Sequence, residues 1–203
     1  MRVAQALALL IILAVCAACD DGSAVEYTIA LDIESGDERR LTDGEQSVYA
    51  IELSPDGTRL AAIAGDEDGI GAVVLDAADG TELHRLDLAY NLAIGPFVTW
   101  RTDSELLVMR GNEDDVYGTN AVLASWDLTT GDARDIAEFN GGGCCQNRLV
   151  VAPDGSAVAV SSARQTYLVT LPDGAVTPLV DDVGFASAVD WTPGSVFLLE
   201  AAT

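Results

Sequence analysis

Four times along the chain, an apolar segment runs into a tight turn and out into a second apolar segment. Leu53-Ser54-Pro55-Asp56-Gly57 precedes Leu60-Ala61-Ala62-Ile63, and Val151-Ala152-Pro153-Asp154-Gly155 precedes Ala157-Val158-Ala159-Val160. Trp100-Arg101-Thr102-Asp103-Ser104 before Leu106-Leu107-Val108 and Trp191-Thr192-Pro193-Gly194-Ser195 before Val196-Phe197-Leu198-Leu199 are looser copies. Pro and Asp suit the early positions of a type I turn, and Gly supplies the positive φ where the chain reverses. A second signature lies between these turns. Asp32, Asp76 and Asp127 are each followed four places on by Gly36, Gly80 and Gly131, and Asp173-Gly174 reads as a shortened version. The glycines at 36, 80, 131 and 174 are spaced 44, 51 and 43 apart.

A period in the forties containing four short strands is the mark of a β-propeller blade. No long amphipathic helical pattern is present, so the expected class is all-β, built of four-stranded antiparallel blades. Three blades are expected whole, at roughly 47–88, 97–139 and 147–181. The segment 26–42 supplies only the outer two strands of a blade and 186–200 only the inner two. Pairing them would give a composite closing blade and a four-bladed ring, which leaves no open sheet edge. The alternatives are a fragment of a larger ring, or a ring shared by two copies. Ser54-Pro55-Asp56-Gly57-x-x-Leu60-Ala61 and Trp126-Asp127 resemble the WD-like repeats of TolB-type β-propellers, over roughly residues 26–200. That resemblance implies a fold and is nearly silent on function. The separate N-terminal domain of TolB itself has no counterpart here.

The N-terminus carries a different signal. Arg2 precedes an apolar run from Ala6 to Ala18, and charge begins at Asp20. Thirteen apolar residues are too few to span a bilayer core of about 30 Å as a helix and suit a secretory signal peptide. Cys16-Ala17-Ala18-Cys19 resembles a lipobox, in which small residues precede a cysteine that is lipidated and becomes the new N-terminus. The expected organisation is a signal peptide over 1–18, the lipidated Cys19 with a short tether over 19–25, and the propeller over 26–203. Ordinary cleavage after Ala18 without lipid is the alternative. An exported protein held by its lipid at a membrane, facing the periplasm or the cell exterior, is the corresponding location.

Net charge narrows the partners. With 33 acidic side chains against 10 basic ones the formal charge is −23, and every basic residue is Arg. Such a surface repels phosphate backbones, so nucleic acid is not an expected partner. It would also be repelled by an acidic membrane, which makes membrane lipid through Cys19 the expected attachment.

Candidate chemistry is sparse. His84, the one histidine, offers no multi-His metal site, and no Gly-x-Ser-x-Gly elbow accompanies it. The bland reading, an exposed strand residue on the blade rim, is preferred. Asp66-Glu67-Asp68-Gly69 and Glu113-Asp114-Asp115 are acidic, but neither completes the spaced pattern of an EF-hand loop. No metal or cofactor is expected. Cys144-Cys145, after Gly141-Gly142-Gly143, would be the two thiols left once Cys16 is removed and Cys19 lipidated. In an oxidising compartment they could join in a vicinal disulfide at the loop entering a blade; two reduced or separately buried thiols are the alternative. The functional expectation is a tethered binding or scaffold module for a protein or small ligand. An extracytoplasmic enzyme, a hydrolase or a quinoprotein-like dehydrogenase, is the alternative. The discriminator is whether the inner channel gathers reactive groups.

Overall fold

The computed structural model describes residues 10–15, 27–32, 38–40, 47–66, 69–88, 97–111, 120–140, 148–161, 166–180, 186–191 and 197–201. Every element among them is a β-strand. Three complete four-stranded antiparallel sheets occupy the middle of the chain. The first is β4 (Ser47–Leu53), β5 (Arg59–Asp66), β6 (Gly69–Asp76) and β7 (Glu82–Leu88). The second is β8 (Phe97–Thr102), β9 (Glu105–Gly111), β10 (Asn120–Asp127) and β11 (Ala133–Asn140). The third is β12 (Arg148–Val151), β13 (Ala157–Ser161), β14 (Thr166–Thr170) and β15 (Val176–Val180). Strands pair strictly in chain order within each sheet, as expected of a propeller blade.

The two middle strands of each blade are continuous apolar runs because both of their faces are buried. Leu60, Ala62 and Ala64 on β5 join Val73 and Leu75 of β6 on one face. Ala61 and Ile63 turn to the other face with Ile70, Ala72 and Val74, against Val98, Trp100, Leu106, Val108 and Trp126 of the second blade. The second blade repeats the arrangement toward the third. Leu107, Met109, Ala121, Leu123 and Phe139 pack on Leu149, Val158, Val160, Tyr167 and Val169, with the Phe139 and Tyr167 ring centroids 5.3 Å apart. Each such fully buried Leu or Val contributes roughly 1.5–3 kcal/mol relative to exposure, so contact between blades is the main cohesive force. Outer strand β7, by contrast, alternates and exposes Glu82, Arg85 and Asp87.

The turns are built as their sequences require. Gly57 and Gly155 have φ of 74° and 69°, and their N–H groups donate to the carbonyls of Ser54 and Ala152, both at 2.8 Å. In the second turn family, the N–H groups of Gly80 and Gly131 donate to the carbonyls of Asp76 and Asp127 at 2.9 and 2.8 Å. The third blade corrects one reading. Gly174 donates to Thr170 at 2.8 Å, so this turn has full length with Thr170 in the place of the aspartate.

At the ends of the chain, β2 (Tyr27–Asp32) pairs with β3 (Glu38–Arg40), and β16 (Ala186–Trp191) pairs with β17 (Phe197–Ala201). These are the two half-blades expected from sequence. They do not join in one sheet among the described residues. The free edge of β2 is taken by β1 (Leu10–Val15), in register from Leu10 opposite Asp32 to Val15 opposite Tyr27. The expected composite blade is therefore not formed in this structure, because β2 has one edge to offer and β1 occupies it. β1 lies inside the apolar run read as an export signal. A run of Leu, Ile and Val is as apt for a strand as for a signal sequence.

Candidate functional site in the concavity of the inner strands

The innermost strands of the three whole blades lie side by side, with β8 between β4 and β12. They line a concavity of about 420 Å³, within the range of small-ligand pockets. Ala50, Ile51 and Glu52 come from β4, Phe97 to Trp100 from β8, and Arg148 to Val151 from β12. Most of the lining residues are apolar, but polar and apolar atoms share the surface about equally, and the ionisable groups are Glu52 and Arg148.

Local distortion accompanies Glu52. The β4–β5 register shifts between Tyr49 and Glu52, and Ala50 has φ of 45°, a left-handed conformation that costs an alanine roughly 1–2 kcal/mol. A bulge of this kind re-aims the side chains beside it. Glu52 accepts a hydrogen bond from the Trp100 backbone N–H at 3.0 Å and another from the Thr99 hydroxyl. The Trp100 indole N–H donates to the Glu52 carbonyl at 3.1 Å, which ties the first blade to the second. Burial pushes the Glu52 carboxyl above its ordinary value, and the bonds from Thr99 and Trp100 only partly offset this. Arg148 is exposed.

The indole contact recurs. Trp191 Nε1 donates to the carbonyl of Val150 at 2.9 Å, and Val150 stands two residues before the Ala152-Pro153 turn as Glu52 stands two before Ser54-Pro55. A polar belt also joins the turn ends of the blades. Asp56 N–H donates to Asp103 Oδ1 at 3.0 Å, the Arg59 guanidinium donates to the Asp103 carbonyl and stacks 5.4 Å from the Trp100 ring. Arg101 donates to the Gly155 carbonyl at 3.1 Å while pairing with Glu105 at 2.9 Å.

The residues singled out from sequence fall mostly outside this concavity. Ser54, Pro55, Asp56 and Gly57 form a turn, in which Asp56 accepts from the Ser54 hydroxyl at 2.7 Å and from the Thr58 N–H and hydroxyl at 2.9 and 2.8 Å. These bonds hold its carboxyl down to about 2. Pro153, Asp154 and Gly155 repeat the turn, with the Ser156 hydroxyl and N–H lowering Asp154. Both sets are locks on the chain reversal. His84 is on outer strand β7 as expected but is half-buried rather than exposed, because it stands edge-on to Trp126 of the next blade, ring centroids 6.3 Å apart. Cys19, Cys144, Cys145 and the acidic segment 113–115 lie outside the described residues. Sequence reasoning missed Glu52, Phe97 and Arg148. The available signal was Glu52 itself, a carboxylate between Ile51 and Leu53 on a strand whose blade equivalents are Thr99, Val150 and Asp190.

Comparison with known proteins agrees with this architecture. TolB from Acinetobacter baumannii superposes with a TM-score of 0.61 at 15% identity, over 86% of this chain and 42% of that one. A nidogen/laminin complex gives 0.60 at 16% identity, over 88% and 65%. An acylaminoacyl peptidase gives 0.52 at 15%, over 86% and 30%. These likenesses concern the fold, and the chain spans less than two thirds of the length of each. No curated protein sequence matches the chain. The family model described as "Lipoprotein LpqB beta-propeller domain" matches residues 20–165, which is more than half of the sequence, and the chain therefore belongs to the LpqB lipoprotein β-propeller family.

Proposed function

We propose that the protein is a lipid-anchored, extracytoplasmic propeller that acts as a protein- or ligand-binding module, with the concavity of β4, β8 and β12 as its binding site. Membership of a lipoprotein family supports an envelope-associated location. The Ala17-Ala18-Cys19 sequence supports anchoring through Cys19, and a chain this acidic is a poor partner for nucleic acid. The observation that carries the binding reading is the lining itself. It mixes polar and apolar surface about equally, with one carboxyl held in place by a backbone N–H and a hydroxyl, and one exposed arginine. Such a surface orients a ligand, whereas glycoside hydrolysis needs two facing carboxyl groups and acyl transfer a nucleophile with its base.

The test is capture of partners from the cell envelope by the tethered protein and by its Val150→Trp variant, which fills the concavity. Partners should be retained by the wild type and lost by the variant at unchanged thermal stability. Equal capture by both would move the binding site elsewhere.

A further inference from the structure

Glu52 is the acidic group in the lining of the concavity, and no cation of the described residues is paired with it. The arginines in described ion pairs are committed elsewhere: Arg59 to Asp56, Arg85 to Glu82, Arg101 to Glu105 and Arg110 to Asp135. The Arg59 guanidinium lies over the Trp100 ring and donates to the Asp103 carbonyl. The partners of the Glu52 carboxyl, the Trp100 N–H and the Thr99 hydroxyl, are neutral. A carboxylate withdrawn from water without a counter-charge is costly, and a cation brought to it recovers part of that cost.

The surroundings suit such a cation. Phe97 lines the same concavity and is only partly buried, and aromatic faces attract cations through their quadrupole; the Trp100 ring is buried and already carries the Arg59 guanidinium. A formal charge of −23 raises the local concentration of cations around the whole molecule. Arg148 also contributes to the lining and is exposed, so its charge weakens the attraction for any cation and opposes a polycation most.

We propose that the concavity binds a compact organic monocation, with the Glu52 carboxylate as its counter-ion and the Phe97 ring as its apolar wall. This rests on the concavity being the binding site, and it names the class of group received there.

The probes are n-butylammonium, its neutral counterpart n-butanol, and butyrate, titrated at constant ionic strength into the wild-type protein, Glu52→Gln, and Asp87→Asn. The last removes one exposed charge on β7, away from the concavity. Wild type should bind butylammonium at least tenfold more tightly than butanol or butyrate. Glu52→Gln, which keeps an acceptor oxygen for the Trp100 N–H, should lose that preference, and Asp87→Asn should keep it. Should Glu52→Gln fail to fold, Phe97→Ala serves, with an expected loss of several-fold in butylammonium affinity and none for butyrate. Equal affinity for butanol and butylammonium, or an undiminished preference in Glu52→Gln, overturns the cation assignment but leaves the concavity as a ligand site. No binding of butylammonium overturns it too, and the Val150→Trp capture experiment then decides separately whether the concavity takes a ligand at all.

Discussion

Burial raises the Glu52 carboxyl above its ordinary value, against the opposing bonds from Thr99 and Trp100. Protonated, the group is cheap to bury; ionised, it gives up hydration that the fold does not fully replace. The folded state therefore loses stability relative to the unfolded chain as pH rises from about the ordinary glutamate value, ~4.3, through the raised one. Glu52→Gln removes that penalty. Its Tm should exceed the wild type's at pH 7, and the difference should shrink to nothing as the pH falls below about 4, where the wild-type group is protonated in both states. A wild type that melts higher at pH 7 would show that the two hydrogen bonds outweigh the burial.

The turn glycines separate two demands that look alike in sequence. Gly57 has φ of 74° and open space around the position of a Cβ, so Gly57→Ala should cost only the left-handed conformation, roughly 1–2 kcal/mol. Gly174 has φ of 71°, and a Cβ there would collide with the carbonyl oxygen of Ile136 on β11 of the preceding blade. Gly174→Ala should cost several kcal/mol by urea denaturation, because it also forces the second and third blades apart. Equal costs would mean that the contact between blades yields freely. The period of these turns made the blades legible in the sequence, since Gly57, Gly80, Gly131 and Gly155 mark chain reversals that other residues tolerate poorly. Thr170 escaped notice because a threonine stands where its equivalents carry Asp. The concavity was illegible for a different reason. Glu52, Trp100 and Val150 meet only through the stacking of blades, and the indole bonds of Trp100 and Trp191 end on the backbone carbonyls of Glu52 and Val150, acceptors that leave no trace in residue identity.

At the scale of the molecule, the edge of β2 is the open question of assembly. β1 fills it in the full chain. Cleavage before Cys19 would remove β1 and free that edge for β17, whose sheet otherwise ends at two strands. Removing residues 186–203 from the mature chain should then abolish soluble folding. A well-folded monomer after that deletion would contradict closure by the chain's own termini, and a stable dimer of the intact chain would favour a ring shared between copies. The central claim, that recognition takes place on the inner strands, is tested most directly by site-specific photo-crosslinking in the producing cells. A photoreactive phenylalanine analogue at Val150, in the concavity, should give a discrete adduct identifiable by mass spectrometry, while the same group at the exposed Leu83 of β7 should give none. An adduct at Leu83 with none at Val150 would contradict the account.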